Sequence, residues 1–188
     1  MKYIATVALL LTLTVASAHA QDKQVKMTFS GTSETSATNL QQTDTSNDSD
    51  NFAGNGTLGS FTVRNVRAIA NTPTASAGCS GTNQLFLAEL AGGGVFRFHD
   101  GSLLYTHLTQ GGDCIDLVTN LAHCTLTLQI TGGTGRFKNA SGVLTMTETV
   151  EPVLTDALNN PVFFAASGEF TGTVSRVSEP EELSGERQ

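Results

Sequence analysis

The chain lacks a basic excess, a Cys-x-x-Cys pair, a helical apolar stripe and any apolar run of membrane-spanning length after its first residues. Ten lysines and arginines face 17 aspartates and glutamates, a formal net charge of −7, so the cationic footprint that nucleic acid or anionic lipid requires is missing. Without paired Cys or Cys/His ligands at metal spacing, a thiolate metal centre is not expected. Without a Gly-Lys-Ser/Thr loop ahead of a helix, neither is a phosphate cradle. No Gly-x-Ser-x-Gly elbow is present, which removes the usual serine hydrolase arrangement. Charged residues make up only 14% of the chain. No cofactor is expected, and no catalytic residue is assigned from a motif.

The first twenty residues read as a signal peptide. Lys2 supplies the positive start, Ile4 to Val15 the apolar centre, and Ala18-His19-Ala20 a small-x-small cleavage pattern. Cleavage would leave a chain starting at Gln21, secreted or periplasmic, without a membrane anchor, and with a net charge of about −8. Three cysteines remain: Cys79, Cys114 and Cys124. An oxidising compartment predicts one disulfide and one leftover thiol, for which three pairings exist. Cys79 lies in a Gly-Cys-Ser-Gly turn and Cys114 follows Gly111-Gly112-Asp113, both loop or strand-end settings, whereas Cys124 falls within a strand. Cys79–Cys114 is therefore the expected pair.

Nearly everything beyond the leader alternates with a period of two, the pattern of half-buried strands. Val25, Met27 and Phe29 alternate with polar residues. Residues 36–55, rich in Thr, Ser, Asn and Asp, read as a long polar loop or a disordered segment. Phe61 and Val63 share one parity and Val66 and Ala68 the other, which predicts a bulge or bend. Leu85 to Leu90, a Gly92-Gly93-Gly94 turn, an Asp100-Gly101 hairpin, and strands over 102–109, 114–118, 123–131 and 142–150 follow. The last strand places Val162, Phe164, Ala166, Gly168, Phe170, Gly172 and Val174 on one face. The expected organisation is a signal peptide (1–20), an N-terminal strand and polar loop (21–55), a β-barrel core (56–177) and an acidic tail (178–188). The fold class is all-β, and the glycines of the last strand favour a closed antiparallel barrel of about eight strands over a sandwich.

The stretch Leu128 to Thr147 holds the densest structural signal. Gly132, Gly133, Gly135 and Gly142 imply a structural turn whose backbone a side chain would hinder, with Phe137 packing against it. Ile130-Thr131-Gly132-Gly133-Thr134-Gly135-Arg136-Phe137 followed by Ala140-x-Gly142 resembles the strand–turn–strand signature of the allene oxide cyclase and dirigent barrels. The hairpin Phe98-His99-Asp100-Gly101-Ser102-Leu103-Leu104-Tyr105 and the closing Gly168-Glu169-Phe170-x-Gly172 resemble two further elements of those proteins, and the whole chain is similar to secreted bacterial members. The resemblance implies a closed eight-stranded barrel, in many relatives assembled as a homotrimer, and a largely apolar interior, which relatives use to guide cyclisation, coupling or cycloaddition.

Candidate chemical groups are scattered. Asp44, Asp48 and Asp50 lack the frame of a calcium loop and read as loop residues. His99, His107 and His123 with Asp100, Asp113 and Asp116 match no ligand spacing, so no metal site is expected. Glu89, Glu148, Glu151 and Glu169 are the available carboxylates for acid–base work. Glu169 has opposite parity to Phe170 and faces away from it, whereas Glu148 shares parity with Leu144, Met146 and Val150 and is a candidate for a barrel mouth. Arg136 reads as a surface turn residue. The function expected from these features is a non-catalytic exported barrel, binding a small apolar ligand or serving as an extracytoplasmic interaction module. The alternative is a cyclase-, isomerase- or dirigent-like barrel that orients a reactive molecule in its lumen.

Overall fold

A computed structural model describes residues 22–178. The expected signal peptide and all but the first residue of the acidic tail lie outside that range. Eight strands follow in order: β1 (Lys23–Thr35), β2 (Thr45–Gly56), β3 (Phe61–Ala70), β4 (Gln84–Phe98), β5 (Leu103–Asp116), β6 (Ala122–Gly133), β7 (Ser141–Thr155) and β8 (Pro161–Ser175), with a 3₁₀ turn at Gly135–Phe137. Each strand pairs antiparallel with the next, and β1 pairs with β8 from Lys23↔Val174 to Glu34↔Phe163. The protein is an all-β closed antiparallel barrel. Closure leaves no free sheet edge and satisfies the backbone donors and acceptors all the way round.

The two ends differ. The connections 57–60, 99–102 and 134–140 close one end. The connections 36–44, 71–83, 117–121 and 156–160 surround the other, which is the mouth. The closed half is filled by phenylalanine: Phe29 stacks on Phe52 with ring centroids 4.6 Å apart, Phe96 meets Phe170 edge-on at 4.9 Å, and Phe98 meets Phe137 at 4.8 Å. Met27, Leu104, Leu144 and Met146 are fully buried among them. Burying each such side chain contributes roughly 1.5–3 kcal/mol, so this aromatic half is where the apolar drive for closure resides.

Several elements depart from the sequence-based expectation. Residues 36–55 are not one polar loop. Strand β2 begins at Thr45 and pairs with both β1 and β3, so the barrel starts at β1 rather than at residue 56. The apolar alternation that would have announced β2 is absent because its buried positions include Asp50 beside Phe52. The bulge expected in β3 is present, further along than the apolar pattern placed it. Phe61, Val63, Asn65 and Arg67 are buried on one parity, and the register against β4 shifts between Ala68 and Ile69, both of them buried. The polar inward residues Asn65 and Arg67 made the phase change look earlier than it is. Gly92-Gly93-Gly94 is not a turn but part of β4, paired with Arg67, Val66 and Asn65. A methyl group on Gly94 would run into Asn65 Oδ1. The strands expected at 102–109 and 114–118 are one strand, β5, interrupted by two register shifts against β6.

Candidate ligand site at the barrel mouth

The inward faces of four neighbouring strands, β2 to β5, together with β7, bring charge into the mouth half of the lumen. Arg67 on β3 lies at the centre, its side chain 4% exposed. Asp50 on β2 engages it through two oxygens, with Nε–Oδ2 at 2.9 Å and Nη2 donating to Oδ1 at 3.0 Å. Glu89 on β4 accepts from Nη1 at 2.6 Å, and Glu148 on β7 lies 3.6 Å from the same nitrogen. The Ser33 hydroxyl on β1 donates to Asp50 Oδ1 at 2.8 Å. Asp113 on β5 and Cys124 on β6 complete the ring, both buried. A planar guanidinium with its fork of donors suits such a set of carboxylates where an ammonium would not.

One cation is outnumbered. Glu89 Oε2, Asp113 Oδ1 and both carboxyl oxygens of Glu148 have no hydrogen-bond partner among the described residues. Burial pushes Glu148 from 4.5 up to about 8, against the pull of Arg67 and with help from Asp50 and Asp113. Burial likewise pushes Glu89 well up, opposed by Arg67 and reinforced by Asp113, which also shares a hydrogen bond with it. Asp48, nearer the rim, is raised by burial from 3.8 to about 6. Burial alone would lower Arg67, but Glu89, Asp50, Glu148 and Asp113 together outweigh it and hold the guanidinium charged. At neutral pH the site therefore offers protonated carboxyl groups, a rim carboxylate and a permanent cation, which are the components of acid–base chemistry.

Above this floor lies a cleft of about 250 Å³, walled by Ile69, Leu87, Ile115, Val150 and Phe164, with Asp48, Arg67 and Asp113 on its polar side. Below it only about 10 Å³ remains beside Asn65, Leu108, Leu126 and Leu128, too little for more than a water. The lumen is thus open at the mouth and packed beneath. The Cys79–Cys114 disulfide ties the 71–83 connection to β5 at the same end, and Cys124 is the buried free thiol.

The glycine turn lies at the opposite end. Gly132, Gly135 and Gly142 have φ of +129°, +56° and +138°, conformations that cost other residues strain. Gly133 abuts the Leu103 carbonyl and the Phe137 side chain. Phe137 is fully buried. Arg136 is not a free surface residue: its guanidinium lies 4.5 Å from the Phe137 ring and 5.0 Å from Phe98, donates to the Leu58 carbonyl at 2.6 Å, and pairs with Asp100 at 2.8 Å. It clamps the closed end, remote from the cleft.

Of the carboxylates singled out from sequence, Glu89, Glu148 and Asp113 converge on Arg67, as do Asp48 and Asp50, which had been read as loop residues. Glu169 faces outward, 3.9 Å from Lys26. His99, His107 and His123 are exposed, and Asp116 accepts the backbone N–H groups of Val118 and Thr119 in its own turn. Among the described residues, no three His, Cys, Asp or Glu side chains are arranged to hold a metal ion. Arg67 itself was missed. Its signal was available in the parity it shares with Phe61 and Val63.

No family model and no curated protein matches the chain. Among solved structures, a pterocarpan synthase dirigent protein superposes with a TM-score of 0.34 at 11% identity, over 89% of this chain and 99% of that one. The barrel assignment rests on the strand pairing and closure described above.

Proposed function

We propose that this protein is an exported barrel that binds a small, mainly apolar molecule in its mouth, with the polar end of the ligand against the charged floor. The observation that carries this reading is the convergence of Arg67 and its carboxylates at the base of an open, apolar-walled cleft. Such a site combines a hydrophobic wall with a few fixed polar groups, the usual make-up of a ligand pocket. Export is supported by the leader-like first twenty residues and by the Cys79–Cys114 disulfide. Native mass spectrometry of protein secreted by its source organism tests the reading. A co-purifying small molecule that is lost when Leu87 or Ile115 is replaced by a bulkier Trp supports it. A ligand-free protein that also fails to take up any apolar probe overturns it.

A second reading is favoured by the raised Glu148 beside Arg67. A carboxylic acid that keeps its proton at neutral pH can donate it to a confined reactive molecule, so the same cleft would guide a cyclisation or isomerisation. In that case Glu148→Gln would retain binding and lose turnover. A variant with unchanged turnover would leave the binding role alone.

A further inference from the structure

We propose that the mouth end of the barrel docks on the surface of a zwitterionic lipid bilayer, through aliphatic side chains at the tips of two neighbouring connections. Among the described residues, five of the eight large hydrophobic side chains that stay exposed lie together at the mouth. Leu117 and Val118, 51% and 70% exposed, open the β5–β6 connection, and Val153, Leu154 and Leu158, at 54%, 58% and 79%, crown the β7–β8 hairpin. That hairpin overhangs the rim, because β7 runs on to Thr155 while its pairing with β6 ends at Val150. The register shift between Pro152 and Leu154 leaves Val153 without a partner on β8, so two successive side chains are exposed where a regular strand over a core would bury one. The two tips stand two strand positions apart around the barrel, about 10 Å at ordinary strand spacing.

Shape, area and charge select the occupant. The aliphatic side chains crown two projections beside an open mouth rather than a flat face. Five such side chains offer several hundred Å² at most, short of the ~800 Å² per partner of a stable protein interface. A fluid lipid surface needs no matching contour, and binding to it scales with the apolar area that enters it. Charge then decides which lipid. Residues 117–121 and 153–160 contain no lysine or arginine, and the chain's formal net charge is −7. Asp116, whose carboxylate accepts from the N–H groups of Thr119 and Val118, and Asp156, held by the side chain and N–H of Asn160, ionise more readily than a free aspartate and keep negative charge at both tips. An anionic surface repels them, whereas a net-neutral headgroup layer does not. The apolar wall of the cleft reaches the same rim through Ile115 and Val150, so docking turns the cleft toward lipid instead of water. The proposal goes beyond the ligand-binding reading and does not depend on it.

Flotation of the disulfide-bonded mature protein with phosphatidylcholine vesicles tests this. The protein is expected to float with the vesicles, as well at about 0.5 M salt as at about 0.1 M, and to bind less when about a third of the lipid is phosphatidylglycerol. Leu154→Ser combined with Leu158→Ser should lower the partition coefficient at least about tenfold, and Val118→Ser alone should lower it less. All three side chains are exposed, so urea unfolding should be nearly unchanged. Val143→Ser removes an exposed valine from the barrel wall near the closed end and should leave partition as it is. Uptake of a soluble apolar dye should be the same in the parent and the double variant, so that loss of docking and loss of the ligand site read out separately. Absence of the folded protein from the floated fraction, tighter binding to the anionic vesicles, or an equal loss with Val143→Ser overturns the proposal. A dimer in sedimentation velocity that the double variant abolishes, without vesicle binding by the parent, also overturns it and assigns the tips to a second copy.

Discussion

Arg67 is the residue on which the mouth half depends. Replacing it with Met would leave Asp50, Glu89 and Glu148 buried without their cation, at a cost of about 3–5 kcal/mol, measurable by urea unfolding at pH 7.5. Arg67→Lys is expected to recover little of that, because a point charge cannot serve both oxygens of Asp50 and reach Glu89 as well. Glu148 responds differently. In the unfolded chain its carboxyl ionises near 4.5, and in the folded barrel it holds its proton to about 8. Between those values the folded state binds more protons, so Glu148 favours folding most below about pH 4.5 and that contribution falls as pH rises towards 8. Glu148→Gln, which keeps the shape without the titration, should flatten the decline and be more stable than the parent at pH 8.5. An unchanged slope would mean that Glu148 is ionised already at neutral pH.

At the scale of elements, the glycine turn and the disulfide hold opposite ends. Gly142 has a φ of +138°, and a methyl group there would meet the Thr173 carbonyl. Gly142→Ala is therefore expected to lose roughly 1–3 kcal/mol through backbone strain, and Phe137→Ala about 3–5 kcal/mol through the cavity left against Phe98. Neither should alter ligand binding at the mouth, which fluorescence titration against denaturant curves will separate. The Cys79–Cys114 bridge spans 35 residues, and its loss should cost about 2–4 kcal/mol. Reduction should also loosen the 71–83 connection, seen as faster hydrogen exchange there, while Cys124 stays protected from alkylation until the barrel unfolds.

For the whole molecule, closure makes an aromatic, well-packed half support an electrostatically costly one. Phe29, Phe52, Phe61, Phe96, Phe98, Phe137 and Phe170 are all buried in one connected core, while the mouth carries unpartnered carboxyl oxygens. A protein carrying unpartnered buried polar groups is less stable than its fold allows, which is characteristic of functional sites. The melting temperature is expected to rise by roughly 5 °C or more from pH 8 to pH 5 as Glu148, Glu89 and Asp48 retain their protons. A flat or opposite trend over that interval would contradict the proposed protonation of the lumen.

The all-β class, the alternation of β1 and β8, the Asp100-Gly101 hairpin and the opposite faces of Glu169 and Phe170 were legible in the chain because side-chain direction in a strand has a strict period of two. The same rule failed where the lumen is polar. Asn65 and Arg67 displaced the apparent position of the bulge in β3, and Asp48 and Asp50 made β2 look like a loop, since periodicity detects apolar inward faces only. Sequence by itself determined which residues would be strand and turn over most of the barrel. Which carboxylates meet was decided only by closure: Asp50, Arg67, Glu89, Asp113 and Glu148 are dispersed along the chain, and the register of six strands sets them at one depth around a single guanidinium.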